Sequence, residues 1–156
     1  MNLSTRGIAL LEELEGRYHK LYMDSGGEPT IGIGHLITRP ERRSGNIMIG
    51  GVAVNYRDTL TDAQIEALLR QDVAVAEKII ADTITADLNQ NQYDALVCFV
   101  LNTGTTGNKL RRAINSHAPE EVILAAWREW KHDNGHVVQG LINRREKEIA
   151  LWKVTN

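Results

Sequence analysis

Cysteine is almost absent: Cys98 stands alone among 156 residues. A single thiol cannot close an intrachain disulfide or anchor a cysteine-based zinc cluster. Long apolar runs are missing too, since no window approaches the ~18 uninterrupted apolar residues of a membrane-crossing helix. The first sixteen residues carry Arg6, Glu12, Glu13 and Glu15 and no apolar stretch of signal-peptide length. Synthesis in a cytoplasm without an export signal is therefore the expectation. Charge of one sign is not in excess either. Lys and Arg number 18 against 20 Asp and Glu, a net charge of −2, which argues against a dedicated nucleic-acid binder.

What is present fits a globular protein. Apolar residues make up 42% and charged residues 24%, values that rule out disorder and fibrous repeats. At this length one domain over residues 1–156 is expected, able to fold as two lobes. A chain of this size buries about 70% of the surface of its unfolded form and needs no staple to fold. Residues 109–156 hold 9 basic and 6 acidic side chains, a local lean towards a polyanionic partner.

Ser4 is a candidate N-cap for a helix over 4–15, with Ile8, Leu11 and Leu14 on one face and Gly16 as its stop. Arg17 to Asp24 reads as a strand, Ser25-Gly26-Gly27 as a turn, and Thr30 to Ile37 as the returning strand. Gly32 and Gly34 leave one face of that strand bare, which lets a ligand or another chain approach its backbone. A third strand is expected around Ile47 to Tyr56, with Arg39, Arg42 and Arg43 on a solvated loop before it. Thr61 and Gln64 form a capping box that opens a long helix over 61–81.

Beyond that the pattern is helical. Asn89 or Asn91 caps an apolar helix that ends at Asn102-Thr103-Gly104, and a short helix covers 108–115. Pro119 opens a helix carrying Val122, Ile123, Ala126, Trp127 and Trp130. A polar loop over 132–140 leads to a last helix with Leu141, Ile149 and Trp152. The expected class is α+β. A small antiparallel β lobe (about 16–60) and a larger helical lobe (about 82–156, with helix 4–15 packed near it) are joined by the long helix, with a cleft between them.

Glu15 falls at the end of a helix, Asp24 at the end of a strand and Thr30 at the start of the next. Folding that hairpin back can bring an acid, a carboxylate and a hydroxyl together. Inverting glycoside hydrolysis needs such a pair: one carboxylic acid protonates the leaving oxygen and one carboxylate activates water, ~6.5–9.5 Å away. The negative end of a helix dipole favours the neutral form of Glu15, suiting it as the acid. From spacing alone, a pair of solvated surface carboxylates is the favoured reading.

The runs Glu15-Gly16, Leu21-Tyr22-Met23-Asp24-Ser25-Gly26-Gly27 and Thr30-Ile31-Gly32-Ile33-Gly34-His35-Leu36 closely resemble the phage-type lysozymes of glycoside hydrolase family 24. That family is marked by Glu, eight residues, Asp or Cys, five residues, Thr. Further matches follow in order at Leu69-Arg70-Gln71-Asp72-Val73, Gln90 to Leu96, Asn102-Thr103-Gly104 and Gly140 to Glu146. The resemblance implies a lysozyme-like fold and a muramidase, an endolysin that hydrolyses the β-1,4 bond between N-acetylmuramic acid and N-acetylglucosamine for host lysis.

By the same resemblance Glu15 is the acid, Asp24 the base, and Thr30 holds the attacking water. It also implies that Gly34, Leu36, Leu101 and Asn102 touch substrate, that Arg144 stands near Glu15, and that His35 pairs with Asp72 as a structural support. An arginine beside Glu15 opposes the dipole effect on its pKa. No cofactor and no metal are expected. The expected enzyme is a monomer acting on periplasmic peptidoglycan strands, reached through a holin or similar pore, with no nucleic acid and no membrane span involved. The alternative is a non-catalytic lysozyme-fold module that binds glycan or protein; a more distant one is a glycosidase for another polysaccharide such as chitosan.

His132 and His136 are spaced as two metal ligands on one helical face, but Asn134-Gly135 between them favours a loop. Cys98 lies in an apolar segment, as an inert buried thiol would. Trp127 and Trp130 read as core residues, with sugar stacking as the minor alternative. Arg111, Arg112, Arg144, Arg145, Lys147 and Lys153 either attract an anionic wall or coat a solvated helical surface.

Overall fold

The computed structural model describes residues 1–155. The chain divides into two compact units, one formed by Leu11–Ala74 and the other by Met1–Leu10 with the chain from Val75 onward.

Helix α1 (Thr5–Glu15) begins where the Ser4 hydroxyl accepts the backbone N–H groups of Arg6 and Gly7 at 3.2 and 3.4 Å. Buried Asp94 holds that cap in place, taking the Ser4 backbone N–H at 3.0 Å and its hydroxyl on the other oxygen. The helix stops at Gly16, whose φ of +74° puts its N–H back on the Glu12 carbonyl at 2.8 Å. A left-handed residue after the last turn is the usual glycine stop.

The 11–74 unit is built on a three-stranded antiparallel sheet, β1 (Tyr18–Met23), β2 (Pro29–Gly32) and β3 (His35–Leu36), in that order. The single returning strand expected over Thr30 to Ile37 is instead this tight hairpin. Gly32 and Gly34 take φ of +67° and +71°, which turns the chain at Ile33-Gly34 rather than extending it. Likewise the third strand is two, β4 (Asn46–Ile49) and β5 (Val52–Asn55), paired around Gly50-Gly51.

Arg39, Arg42 and Arg43 belong to a short helix, α2 (Arg39–Ser44), not to a loop. Thr38 and Glu41 cap it reciprocally and Pro40 sits in its first turn.

Helix α3 (Asp62–Thr83) starts with the Thr61–Gln64 capping box, the two groups exchanging hydrogen bonds at 2.8 and 3.1 Å. Its N-terminal half closes the unit. Ile65 and Leu68 lie under Gly32, and the Gln71 amide clamps the β4–β5 hairpin through the Met48 carbonyl and the Gly50 N–H. Ile31, Ile37, Ile47 and Ile65 are fully buried. Each such side chain contributes about 1.5–3 kcal/mol.

The second unit centres on α4 (Gln90–Thr103), capped by Asn89 and ended by left-handed Gly104. Around it stand α5 (Asn108–Asn115), α6 (Glu120–Arg128) and α7 (Gln139–Trp152). Phe99 meets Trp127 and Trp130 edge-on, and Trp127 meets Trp152. Trp130 lies past the end of α6 rather than within it. The 132–140 segment is not a plain loop: β6 (His132–Asp133) and β7 (His136–Val137) form a hairpin around Asn134-Gly135, both with positive φ. Among the described residues no helix is long and apolar enough to cross a membrane.

Candidate active site

Glu15 is the last residue of α1, half-buried, and its side chain lies on the backbone of Gly34 in the β2–β3 turn. A Cβ at Gly34 would stand 2.9 Å from Glu15 Cγ and 3.0 Å from Cδ. Position 34 is thus bare for two reasons, its positive φ and the carboxyl resting on it. The helix stop at Gly16 and the turn at Gly34 together fix where the Glu15 carboxyl sits.

Asp24 follows β1 and organises the turn to β2. Its Oδ1 accepts the N–H groups of Gly26 at 2.9 Å and Glu28 at 2.8 Å, while its own N–H donates to the Glu28 carbonyl at 2.9 Å. Among the described residues Oδ2 accepts no hydrogen bond, so one carboxylate oxygen is anchored and the other is open. Thr30, nearly buried at 4% exposure, donates its hydroxyl to the Glu28 carbonyl at 3.1 Å. A carbonyl only accepts, so the Thr30 proton is used there and Oγ1 is left as an acceptor.

Strand register ties these groups together. Tyr22 stands opposite Thr30, and Thr30 opposite Leu36, so the three side chains share one face of the sheet. Burial pushes the Tyr22 phenol above its ordinary pKa, and negative charge on Tyr18, Glu15 and Asp24 adds to the rise.

Ile31 and His35 pair on the other face. His35 Nδ1 meets both oxygens of Asp72 on α3, at 2.9 and 3.1 Å, and Nε2 meets Glu41 Oε2 at 3.3 Å. Burial disfavours the charged ring, but Asp72 and then Glu41 outweigh it and raise the His35 pKa. Glu41 was not singled out from the sequence. The signal was there, in Thr38-x-x-Glu41 with Pro40 between, but reading the segment as a loop hid it.

The other sequence candidates lie in the helical unit. Leu101 is half-buried and Asn102 exposed near the end of α4. Arg145 Nη2 reaches Asn102 Oδ1 at 2.7 Å, and its guanidinium lies 5.0 Å from the Phe99 ring centre. Arginine has only donors, so the Asn102 oxygen must face it and the amide NH2 must face away. Arg144 donates to Glu148 at 3.1 Å and to the Cys98 carbonyl at 3.3 Å.

Glu148, wholly buried, also takes Arg145 Nη2 at 2.8 Å and Trp127 Nε1 at 2.9 Å. Burial raises the Glu148 pKa against these partners, and burial likewise lowers that of Arg145. Arg144 and Arg145 therefore leave the set of surface cations considered for wall attraction, because both are buried on one carboxylate.

His132 and His136 sit on two exposed strands, where Asp133 faces His136 and His132 faces Val137. The helical spacing that would align them as ligands does not exist. Cys98 is fully buried, its Sγ 3.8 Å from the Gly7 carbonyl. Trp127 is fully buried as well.

Residues 12–148 match the phage lysozyme family. The chain is 34% identical over 155 residues to an endolysin of Salmonella phage P22, covering 97% of this chain and 98% of that one. An endolysin of Acyrthosiphon pisum secondary endosymbiont phage 1 is 31% identical, covering 98% and 99%. A mutant of P22 lysozyme superposes with a TM-score of 0.76 at 31% identity, covering 97% and 98% of the two chains. A match over most of the chain, with the same fold and with full-length relatives on both measures, decides the matter: this chain belongs to the phage lysozyme family.

Proposed function

We propose that this lysozyme-type endolysin cuts the β-1,4 bond from N-acetylmuramic acid to N-acetylglucosamine in peptidoglycan with inversion, Glu15 acting as acid and Asp24 as base. The arrangement of Asp24 and Thr30 supports this reading most strongly. Asp24 keeps Oδ2 open while two backbone N–H groups hold Oδ1. Thr30 Oγ1 can only accept.

A water between them gives one hydrogen to Thr30 Oγ1 and the other to Asp24 Oδ2. Its lone pair is then left to attack the anomeric carbon. Glu15 protonates the leaving oxygen from the opposite side as the bond breaks. Attack by the water from the Asp24 face, opposite the leaving oxygen, yields the α-anomer. Leu36, Gly34, Leu101 and Asn102 are assigned to substrate contact, and Arg144, His35 and Asp72 to support. Asn102 offers its outward NH2 to a carbonyl or hydroxyl of the glycan.

Clearing of outer-membrane-permeabilised Gram-negative cells by wild type, Glu15→Gln and Asp24→Asn tests the assignment. Both variants should lose at least a hundredfold in rate, the usual size of one general acid or base. Equal activity in all three overturns it, and a β-anomeric first product by NMR would make Asp24 a nucleophile instead. The proposal includes action as a monomer and release to the wall through a holin-type pore. Sedimentation of the free enzyme, and lysis timing with and without a co-expressed holin, check those two points.

A further inference from the structure

We propose that the stacked rings of Tyr18 and Tyr22 form a sugar-binding platform beside Glu15, taking the apolar face of an N-acetylhexosamine ring; this rests on the glycosidase reading above.

The platform is built by an irregularity in β1. Along a regular strand, residues four apart stand ~13 Å from each other. Here Tyr18 pairs with Gly32 and Tyr22 with Thr30, so four steps along β1 answer only two along β2. The extra residues bulge out, and the two rings come together face to face, with centroids 3.9 Å apart and planes 26° from parallel. A bulge re-aims side chains, and such devices concentrate near active sites.

The same packing reaches the acid. A Cβ at Gly16 would lie 2.6 Å from Tyr18 Cε2, so the ring folds onto the residue directly after Glu15. Tyr22 feels the charges of both Glu15 and Asp24 and stands in register with Thr30. On the far side of Thr30, Leu36 continues the same face and is 48% exposed.

Tyr18 is itself 43% exposed, a large aromatic surface left to solvent three residues from a half-buried carboxyl. A pyranose ring offers C–H groups on one face and hydroxyls at its edge. An aromatic ring flanked by carboxylates and a hydroxyl complements both. The rings would grip a sugar next to the scissile bond without touching the reacting atoms.

The test is KM and kcat on soluble peptidoglycan strands for Tyr18→Ala, Tyr18→Leu and Tyr18→Trp. It is joined to NMR titration of Glu15→Gln protein with a β-1,4 N-acetylglucosamine oligosaccharide. The Ala and Leu variants should raise KM about fivefold, the worth of one aromatic contact, with kcat within a factor of two. Tyr18→Trp should restore KM, and on titration the Tyr18 ring protons should shift while the sugar C–H protons over the ring move upfield. Wild-type KM in Tyr18→Leu overturns the platform, as does a loss confined to kcat or an unmoved Tyr18 ring.

Thermal unfolding of Tyr18→Leu separates a folding defect from a binding one, since Leu keeps an apolar group on Tyr22. If Glu15→Gln hydrolyses like wild type, the catalytic assignment fails, while the ring titration still decides the platform.

Discussion

Replacing Gly34 with alanine separates a backbone effect from a catalytic one. The residue has φ of +71°, where an L side chain costs about 1–2 kcal/mol. For a protein of this length that lowers Tm by about 2–8 °C. The new methyl would stand 2.9 Å from Glu15 Cγ and 3.0 Å from Cδ, well inside van der Waals contact. Glu15 has a flexible side chain, so relief is cheap in stability: the carboxyl moves off.

Moving it is costly in rate, because a misplacement of ~1 Å at a reacting group is worth about a hundredfold. Gly34→Ala should therefore retain its fold with a modest Tm loss and lose tenfold or more in kcat. Gly51→Ala is the control. Its φ is +81° but no atom lies within 4 Å of the added methyl, so it should lose Tm and keep its rate. Reducing-end release per folded molecule, with folded fraction from circular dichroism, is the assay. Equal specific activity in Gly34→Ala and Gly51→Ala would refute the placing of Glu15.

His35→Asn should lower Tm and leave kcat largely intact, since the ring serves Asp72 and Glu41. A His whose folded pKa is raised stabilises most below its unfolded value of about 6.5, and that contribution fades as pH rises through the folded value. The Tm gap between wild type and variant should accordingly be wider near about pH 5.5 than near about pH 8.5; a gap that widens with pH would reverse the sign and sink the idea. Glu148→Gln neutralises the carboxylate whose Oε1 Arg144 and Arg145 share. Breaking this buried ion cluster should cost about 3–5 kcal/mol in urea unfolding, and a loss under about 1 kcal/mol would contradict it.

The candidate site was readable where local rules act alone. Glu15 before a glycine stop, Asp24 before Ser25-Gly26-Gly27 and the Thr61–Gln64 capping box all show in the sequence, because caps and turns are decided by neighbours. Gly32 and Gly34 were visible but misjudged. Their spacing fits one bare-faced strand or a tight hairpin, and only the packing of α3 beneath Gly32 and of Glu15 against Gly34 chooses between them. Reading 38–44 as a loop concealed α2 and, with it, Glu41 as the second partner of His35.

Sequence alone determined the family signature, the class of fold and the elements that carry Glu15, Asp24 and Thr30. Tertiary structure alone decided what those elements do to one another. The bulge that stacks Tyr18 on Tyr22, the orientation of Asn102 by Arg145 and the burial of Arg144 and Arg145 on Glu148 each join residues distant along the chain or off the regular period. Such contacts depend on which surfaces meet, and no local pattern encodes that.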